Sequence, residues 1–75
     1  MGLRFDVVAP RDGSIERVML REGEKIEEGT PIFSLQSNGV NCEILAPVTG
    51  ITESLEVEQG DITISGMILA VIVQR

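Results

Sequence analysis

Laid on itself with a shift of 37 residues, this chain repeats, and that internal repeat constrains its fold more than any other feature. Ala9-Pro10 falls on Ala46-Pro47, Gly13 on Gly50, and Glu16 on Glu53. Gly23-Glu24 falls on Gly60-Asp61, and Gly29 on Gly66. Apolar positions coincide between these anchors: Val18 with Leu55, Leu20 with Val57, Ile32 with Leu69, and Leu35 with Ile72. Each half therefore reads strand, Ala-Pro, glycine, strand, acidic glycine turn, glycine, strand.

Period-two alternation marks the strands. Leu3, Phe5 and Val7 alternate with Arg4 and Asp6, while Ile15, Val18 and Leu20 straddle Glu16, Arg17, Met19 and Arg21. Ile32–Leu35 and Ile68–Val73 are short, apolar and rich in branched side chains. Pro10, Pro31 and Pro47 stand at segment borders, where a missing N–H does little harm to a ladder. No capped stretch with helical spacing exceeds one turn. The expectation is an all-β chain whose two interleaved copies pack as a small sandwich or flattened barrel about a pseudo-twofold axis. At 75 residues this is one domain, 1–75, with copies at roughly 5–36 and 42–73 joined by a hairpin at 37–41. Gly23 and Gly60 precede acids, as turn positions with positive φ do, and Gly13 and Gly50 are expected in the bends between strands.

Asn38-Gly39, between alternating segments, is the strongest short-range hairpin signal, a type I′ turn. With these two residues as the loop, Ser37 pairs with Val40, Leu35 with Cys42, and Phe33 with Ile44. Phe33, Leu35, Cys42 and Ile44 then share one face, and Ser34, Gln36, Asn41 and Glu43 the other, so the pleat separates apolar from polar.

Composition removes several function classes. Twelve acids against six bases give a formal charge of −6, and there are two aromatics, Phe5 and Phe33. Such a chain lacks the cations that bind phosphates and the platforms on which bases stack, so no nucleic-acid partner is expected. Its charge also disfavours an anionic membrane surface, and its longest apolar run, Met67–Val73, is seven residues, too short to insert in a bilayer. No secretory leader is visible, and Asp6 breaks the myristoylation pattern that Gly2 opens, so the expected location is cytoplasmic. Without histidine, Cys42 has no base to activate it, and Ser-His-Asp catalysis and the usual zinc sites are absent. Cys42 reads as a small buried apolar side chain. No glycine opens a phosphate-binding loop and no calcium-loop spacing occurs. The expectation is therefore no enzyme, no catalytic residue and no metal. The acidic groups Glu22, Glu24, Glu27, Glu28 and Glu53, Glu56, Glu58, Asp61 read as solubilising charge at exposed edges, or as recognition of a basic partner.

Val8-Ala9-Pro10, Gly13, Arg21-Glu22-Gly23-Glu24, Gly29-Thr30-Pro31-Ile32 and Glu43 through Gly50 together resemble the biotinyl/lipoyl carrier domains, specifically the biotin carboxyl carrier type. The resemblance spans nearly the whole chain and implies the barrel-sandwich hybrid fold. In that family a lysine at the central hairpin tip, flanked by methionines, receives the prosthetic group. Aligned from Leu35 to Glu43, Gly39 occupies the lysine's position and Asn38 and Val40 the methionines'. Glycine has nothing to acylate, and the chain's one lysine, Lys25, lies in the first acidic turn. The resemblance thus implies the fold without a covalent cofactor: a non-modified domain acting as a structural or protein-interaction module, with an unidentified protein partner, as a monomer or weak homo-oligomer.

Two alternatives remain. Gly13-Ser14-Ile15, Glu22 through Ile26 and Ile44 through Pro47 are also similar to the lipoyl-like halves of periplasmic adaptor (membrane fusion) proteins, of which this would be a shortened form, then periplasmic. The third class is a degenerate biotin or lipoate carrier subunit of a carboxylase or 2-oxoacid dehydrogenase complex, with Ser37 a remote substitute attachment point. One surface is singled out. Thr63 stands where the first copy has Ile26, between Ile62 and Ile64. A one-residue strand shift that turns the isoleucines inward is favoured; otherwise Ile62 and Ile64 face outward, with Met67 near an edge, as an interaction surface.

Overall fold

The computed structural model describes residues 2–74. The alternating segments form eight strands: β1 (Leu3–Val8), β2 (Gly13–Val18), β3 (Lys25–Ile26), β4 (Pro31–Ser37), β5 (Val40–Leu45), β6 (Gly50–Leu55), β7 (Ile62–Thr63) and β8 (Ile68–Gln74). They make two four-stranded sheets, ordered β1-β8-β6-β3 and β5-β4-β2-β7. A shift of 37 residues, forward for β1 and β3 and backward for β6 and β8, converts the first sheet into the second, so the repeat seen in sequence is the fold's pseudo-twofold symmetry. Each sheet takes two strands from each half of the chain.

The correspondence reaches individual hydrogen bonds. The N–H of Ala9 donates to the Met67 carbonyl at 2.9 Å, and its counterpart, the N–H of Ala46, donates to the Thr30 carbonyl at 2.9 Å. The N–H of Gly23 donates to the Thr52 carbonyl at 2.8 Å, and that of Gly60 to the Ile15 carbonyl at 2.8 Å. Even the bulges repeat: one interrupts β2 between Ile15 and Arg17, and its twin interrupts β6 between Thr52 and Ser54. The outermost pair of the first sheet, Leu3 with Gln74, matches Val40 with Ser37 in the second.

The inward faces supply the core, with Ile15, Ile32, Phe33, Leu35, Leu69 and Ile72 fully buried. β4 follows the expected alternation, with Ser34 and Gln36 on its outer side, and the Ser34 hydroxyl donates to Glu16 at 3.0 Å. β8 does not alternate: Val71 and Val73, opposite the core, are also buried. On the same outer side, Arg4 of β1, paired with Val73, reaches across β8 to Glu53 of β6 at 2.6 Å as an exposed ion pair.

Two expectations need correction. Gly13 and Gly50 do not lie in bends; they open β2 and β6. A Cβ on Gly13 would overlap the Gln36 carbonyl oxygen, and one on Gly50 the Val73 carbonyl oxygen, so a close backbone approach requires the glycines rather than a turn conformation. The strand after the second acidic turn does not shift. Thr63 is 1% exposed in the slot that Ile26 fills in the first copy, while Ile62 and Ile64 are 72% and 65% exposed. Pairing fixes this, because Ser14–Ile62 and Gly13–Thr63 repeat Ile51–Lys25 and Gly50–Ile26. The hairpin between the copies has the expected two-residue loop, Asn38-Gly39, with Ser37 closing β4 and Val40 and Asn41 opening β5.

Two outcomes follow for urea unfolding. Gly50→Ala should lose about 3 kcal/mol because backbone must move, whereas Gly60→Ala, at φ 93° with open space around it, should lose about 1 kcal/mol. Thr52, whose counterpart is Ile15, buries a hydroxyl with no hydrogen-bond partner among the described residues. Thr52→Val should raise stability by about 1 kcal/mol by removing that unmet group.

Candidate functional site

The β4–β5 hairpin is the segment whose tip the sequence marks. Its register is the one the alternation requires: Ser37–Val40, Gln36–Asn41, Leu35–Cys42, Ser34–Glu43 and Phe33–Ile44. Asn38 and Gly39 take φ of 51° and 77°, the two left-handed residues of a type I′ turn. Asparagine tolerates that conformation and glycine adopts it freely, so the local sequence dictates the shape of the tip.

The tip offers little covalent chemistry. Asn38, Gly39, Val40 and Asn41 are exposed, and a Cβ added at Gly39 would meet nothing within 4 Å. No lysine lies anywhere in the hairpin; Lys25 is on β3, an edge of the other sheet. Ser37 is not an exposed tip residue but is buried, its Cβ beside the slot over Gly13. An amide-linked prosthetic group needs a side-chain amine, and these residues do not supply one. Cys42 is half-buried rather than buried, its thiol 3.9 Å from the Glu43 carbonyl. Among the described residues no cluster of three or more His, Cys, Asp or Glu side chains is placed to hold a metal.

A shallow depression of about 450 Å³ beside the tip is lined by Pro10, Arg11, Asp12, Ser37, Asn38 and Ser65. It connects the hairpin to the loop before β2 and to the turn after β7. The Asp12 carboxylate accepts the N–H of Ser65 at 2.8 Å, and its counterpart, the Thr49 hydroxyl, accepts the N–H of Glu28 at 2.9 Å. Asp12 and Thr49 were not legible as binding groups, since each acts on a residue of the other half of the chain.

Several acids do more than solubilise. The Glu24 carboxylate accepts the N–H of Arg21 at 3.0 Å, and that of Asp61 accepts the N–H of Glu58 at 2.9 Å, closing the two equivalent turns. Glu22 accepts the N–H of Leu55 at 2.9 Å, tying the first turn to β6. Ile62 and Ile64 stand exposed on the chain leaving the second turn, but Met67 is half-buried against the core and adds little to that surface. Val8 and Ile68, paired across β1 and β8, are also exposed and escaped the sequence reading. Val8 gave a signal there, as a second consecutive valine that breaks the period of β1. Among the described residues no helix is long and apolar enough to cross a membrane.

This arrangement matches a known family. The biotin–lipoyl family profile, described as "Biotin-requiring enzyme", matches residues 5–72. The chain is 35% identical over 54 residues to the biotin carboxyl carrier protein of acetyl-CoA carboxylase of Solanum lycopersicum, covering 72% of this chain and 77% of that one. It is 34% identical over 67 residues to the biotinylated protein TB7.3 homolog of Mycobacterium leprae (strain TN), covering 89% of this chain and 94% of that one. Other relatives are far longer, and the chain spans a tenth or less of their length. The solution structure of the lipoyl domain of the 2-oxoglutarate dehydrogenase complex from Azotobacter vinelandii superposes with a TM-score of 0.77 at 24% identity, over 93% of this chain and 95% of that domain, a likeness of fold. A profile match over most of the chain, two interleaved four-stranded sheets and a central type I′ hairpin lead to one family: this chain is a biotinyl/lipoyl carrier-type domain, homologous to carboxylase carrier subunits.

Proposed function

We propose that this domain works as a protein-interaction module and carries no covalent cofactor on its hairpin. One observation supports the reading above others: the tip is Asn38-Gly39, and the exposed hairpin residues offer no amine. Biotin and lipoate join their carriers through an amide to a lysine, and Gly39 occupies the position that lysine takes in the alignment, with Asn38 and Val40 in place of its neighbours. Substitution of all three positions speaks for a tip released from modification rather than for a single lost residue. The scaffold around it is intact, down to paired hydrogen bonds in both halves, so what persists is a shape a partner can read.

A docking role within a carboxylase is the form of this reading that the relatives favour. The tomato protein is named as the carrier of acetyl-CoA carboxylase, and other relatives are named as carboxylase subunits. A domain of this shape without a tip amine would keep the contacts to such a partner while transferring nothing. With no histidine in the chain, the domain is read as a binding unit rather than a catalyst.

Intact-mass spectrometry after co-expression with a biotin ligase, and separately with a lipoate ligase, should return the unshifted chain mass. Gain of one biotinyl or lipoyl group would overturn the proposal. In the converse experiment, the triple replacement Asn38→Met, Gly39→Lys, Val40→Met should be taken as substrate by one of the ligases. A Cβ at Gly39 meets open space, and the left-handed backbone at positions 38 and 39 should together cost about 2 kcal/mol, which a folded domain withstands. A folded triple variant that both ligases ignore would show that the tip is not the attachment position.

A further inference from the structure

The two halves of this chain serve as controls for each other, and they disagree most at one surface. Lys25 through Pro31 reads Lys-Ile-Glu-Glu-Gly-Thr-Pro; its counterpart, Ile62 through Ile68, reads Ile-Thr-Ile-Ser-Gly-Met-Ile. The backbones are the same. Gly29 and Gly66 take φ of 85° and 87°, and each donates to its Ala-Pro loop, at Ala46 and Ala9, at 2.9 and 2.8 Å. The N–H of Thr30 donates to Glu27 at 3.1 Å and that of Met67 to Ile64 at 2.9 Å. Each segment buries its second residue, Ile26 or Thr63.

The fold therefore accepts charge at these outward positions and places no demand for isoleucine there. Yet the second copy replaces Lys25, Glu27 and Glu28 with Ile62, Ile64 and Ser65, and leaves Ile62, Ile64 and Ile68 in water. Val8, the strand partner of Ile68, is exposed as well. Isolated exposed aliphatics are ordinary, but three on one segment, two of them where the first copy carries charge, mark a contact surface.

Charge decides what covers it. Asp61 precedes Ile62, and its carboxylate is fixed by the Glu58 N–H; Asp12 is fixed by the N–H of Ser65, within the segment. Two anchored anions thus border the isoleucines, with Arg11 the neighbouring cation. A second copy of the chain would bring the same two aspartates and another net charge of −6. We propose that the Ile62–Ile68 segment docks a protein segment presenting aliphatic side chains interleaved with lysine or arginine. Its aliphatics would cover Ile62, Ile64 and Ile68, and its cations would meet Asp12 and Asp61. The inference rests on the interaction-module reading and gives that module its surface and the chemistry of its partner.

Amide chemical shifts under titration with two synthetic peptides test it, using wild-type domain whose intact mass is verified as unmodified. Both peptides alternate leucine with a charged residue, lysine in one and glutamate in the other. The leucine–lysine peptide should shift residues 8–12 and 61–68 and weaken as salt is raised, and the leucine–glutamate peptide should bind at least about tenfold more weakly. The double variant Ile62→Lys, Ile64→Glu installs the first copy's own residues on an identical backbone, so it should fold and lose the lysine peptide by about tenfold or more. Equal binding of both peptides, shifts confined to other strands, or no binding would overturn the proposal. So would a concentration-dependent dimer that the double variant abolishes, which would put a second copy on the surface. Peptide shifts report on this surface alone and the ligase mass on the hairpin alone, so either proposal can fail without the other.

Discussion

Neither half of this chain can complete a sheet. Within a half, only β2 with β4, or β6 with β8, pair; β1, β3, β5 and β7 all find their partners across the repeat. A two-stranded unit of that kind is marginal in water, so the stability of each half depends on the presence of the other. The glycines that open β2 and β6 belong to the same constraint. They let the backbone close over the carbonyls of Gln36 and Val73, where β4 and β8 end. Folding is accordingly a matter of long-range pairings, and a chain of this topology closes its loops before its contacts reward it.

How much was legible in the sequence depended on whether a feature is local. The hairpin register followed from Asn38-Gly39 and alternation because both act over a few residues. The repeat exposed the all-β class and the pseudo-twofold symmetry, though not the strand order, since two copies with matched turn glycines adopt one local structure twice. What escaped lay at the junction of the halves. Gly13 and Gly50 looked like turn residues because a sequence does not display the carbonyl that approaches them. The exposure of Ile62 and Ile64 ran against hydrophobicity, which favoured turning them inward; pairing with Ser14 and Gly13 prevailed and left Thr63 inside. Val71 and Val73 are buried on the outer side of β8, and Arg4 and Glu53, 49 positions apart, form an ion pair between the strands that flank it, neither of which a local pattern announces.

The candidate site was legible chiefly through what its residues lack. A hairpin tip without an amine is a chemical statement that needs no coordinates, whereas the depression beside it, joining Arg11, Asp12 and Ser65 to Ser37 and Asn38, exists only once the halves interlock. Differences between the copies are informative for the same reason. Where Ile15 becomes Thr52 and Ile26 becomes Thr63, the core gives up apolar area for hydroxyls, one of which finds only a long 3.5 Å contact to the Arg11 carbonyl. Symmetry supplies the comparison that one structure alone seldom does: the same backbone site twice, with two choices of side chain.

Because Leu3 stands opposite Gln74 as Val40 stands opposite Ser37, the polypeptide is in effect a ring of two equivalent arcs cut at one of its two equivalent closures. A short link from Gln74 to Leu3 and a nick between Asn38 and Gly39 would produce a circularly permuted chain in which the arcs trade order while every strand keeps its neighbours. The tip of the hairpin and the point of entry and exit are thus alternative versions of a single structural position. A domain built this way can be tethered to a larger assembly from one spot and still present the opposite closure unobstructed.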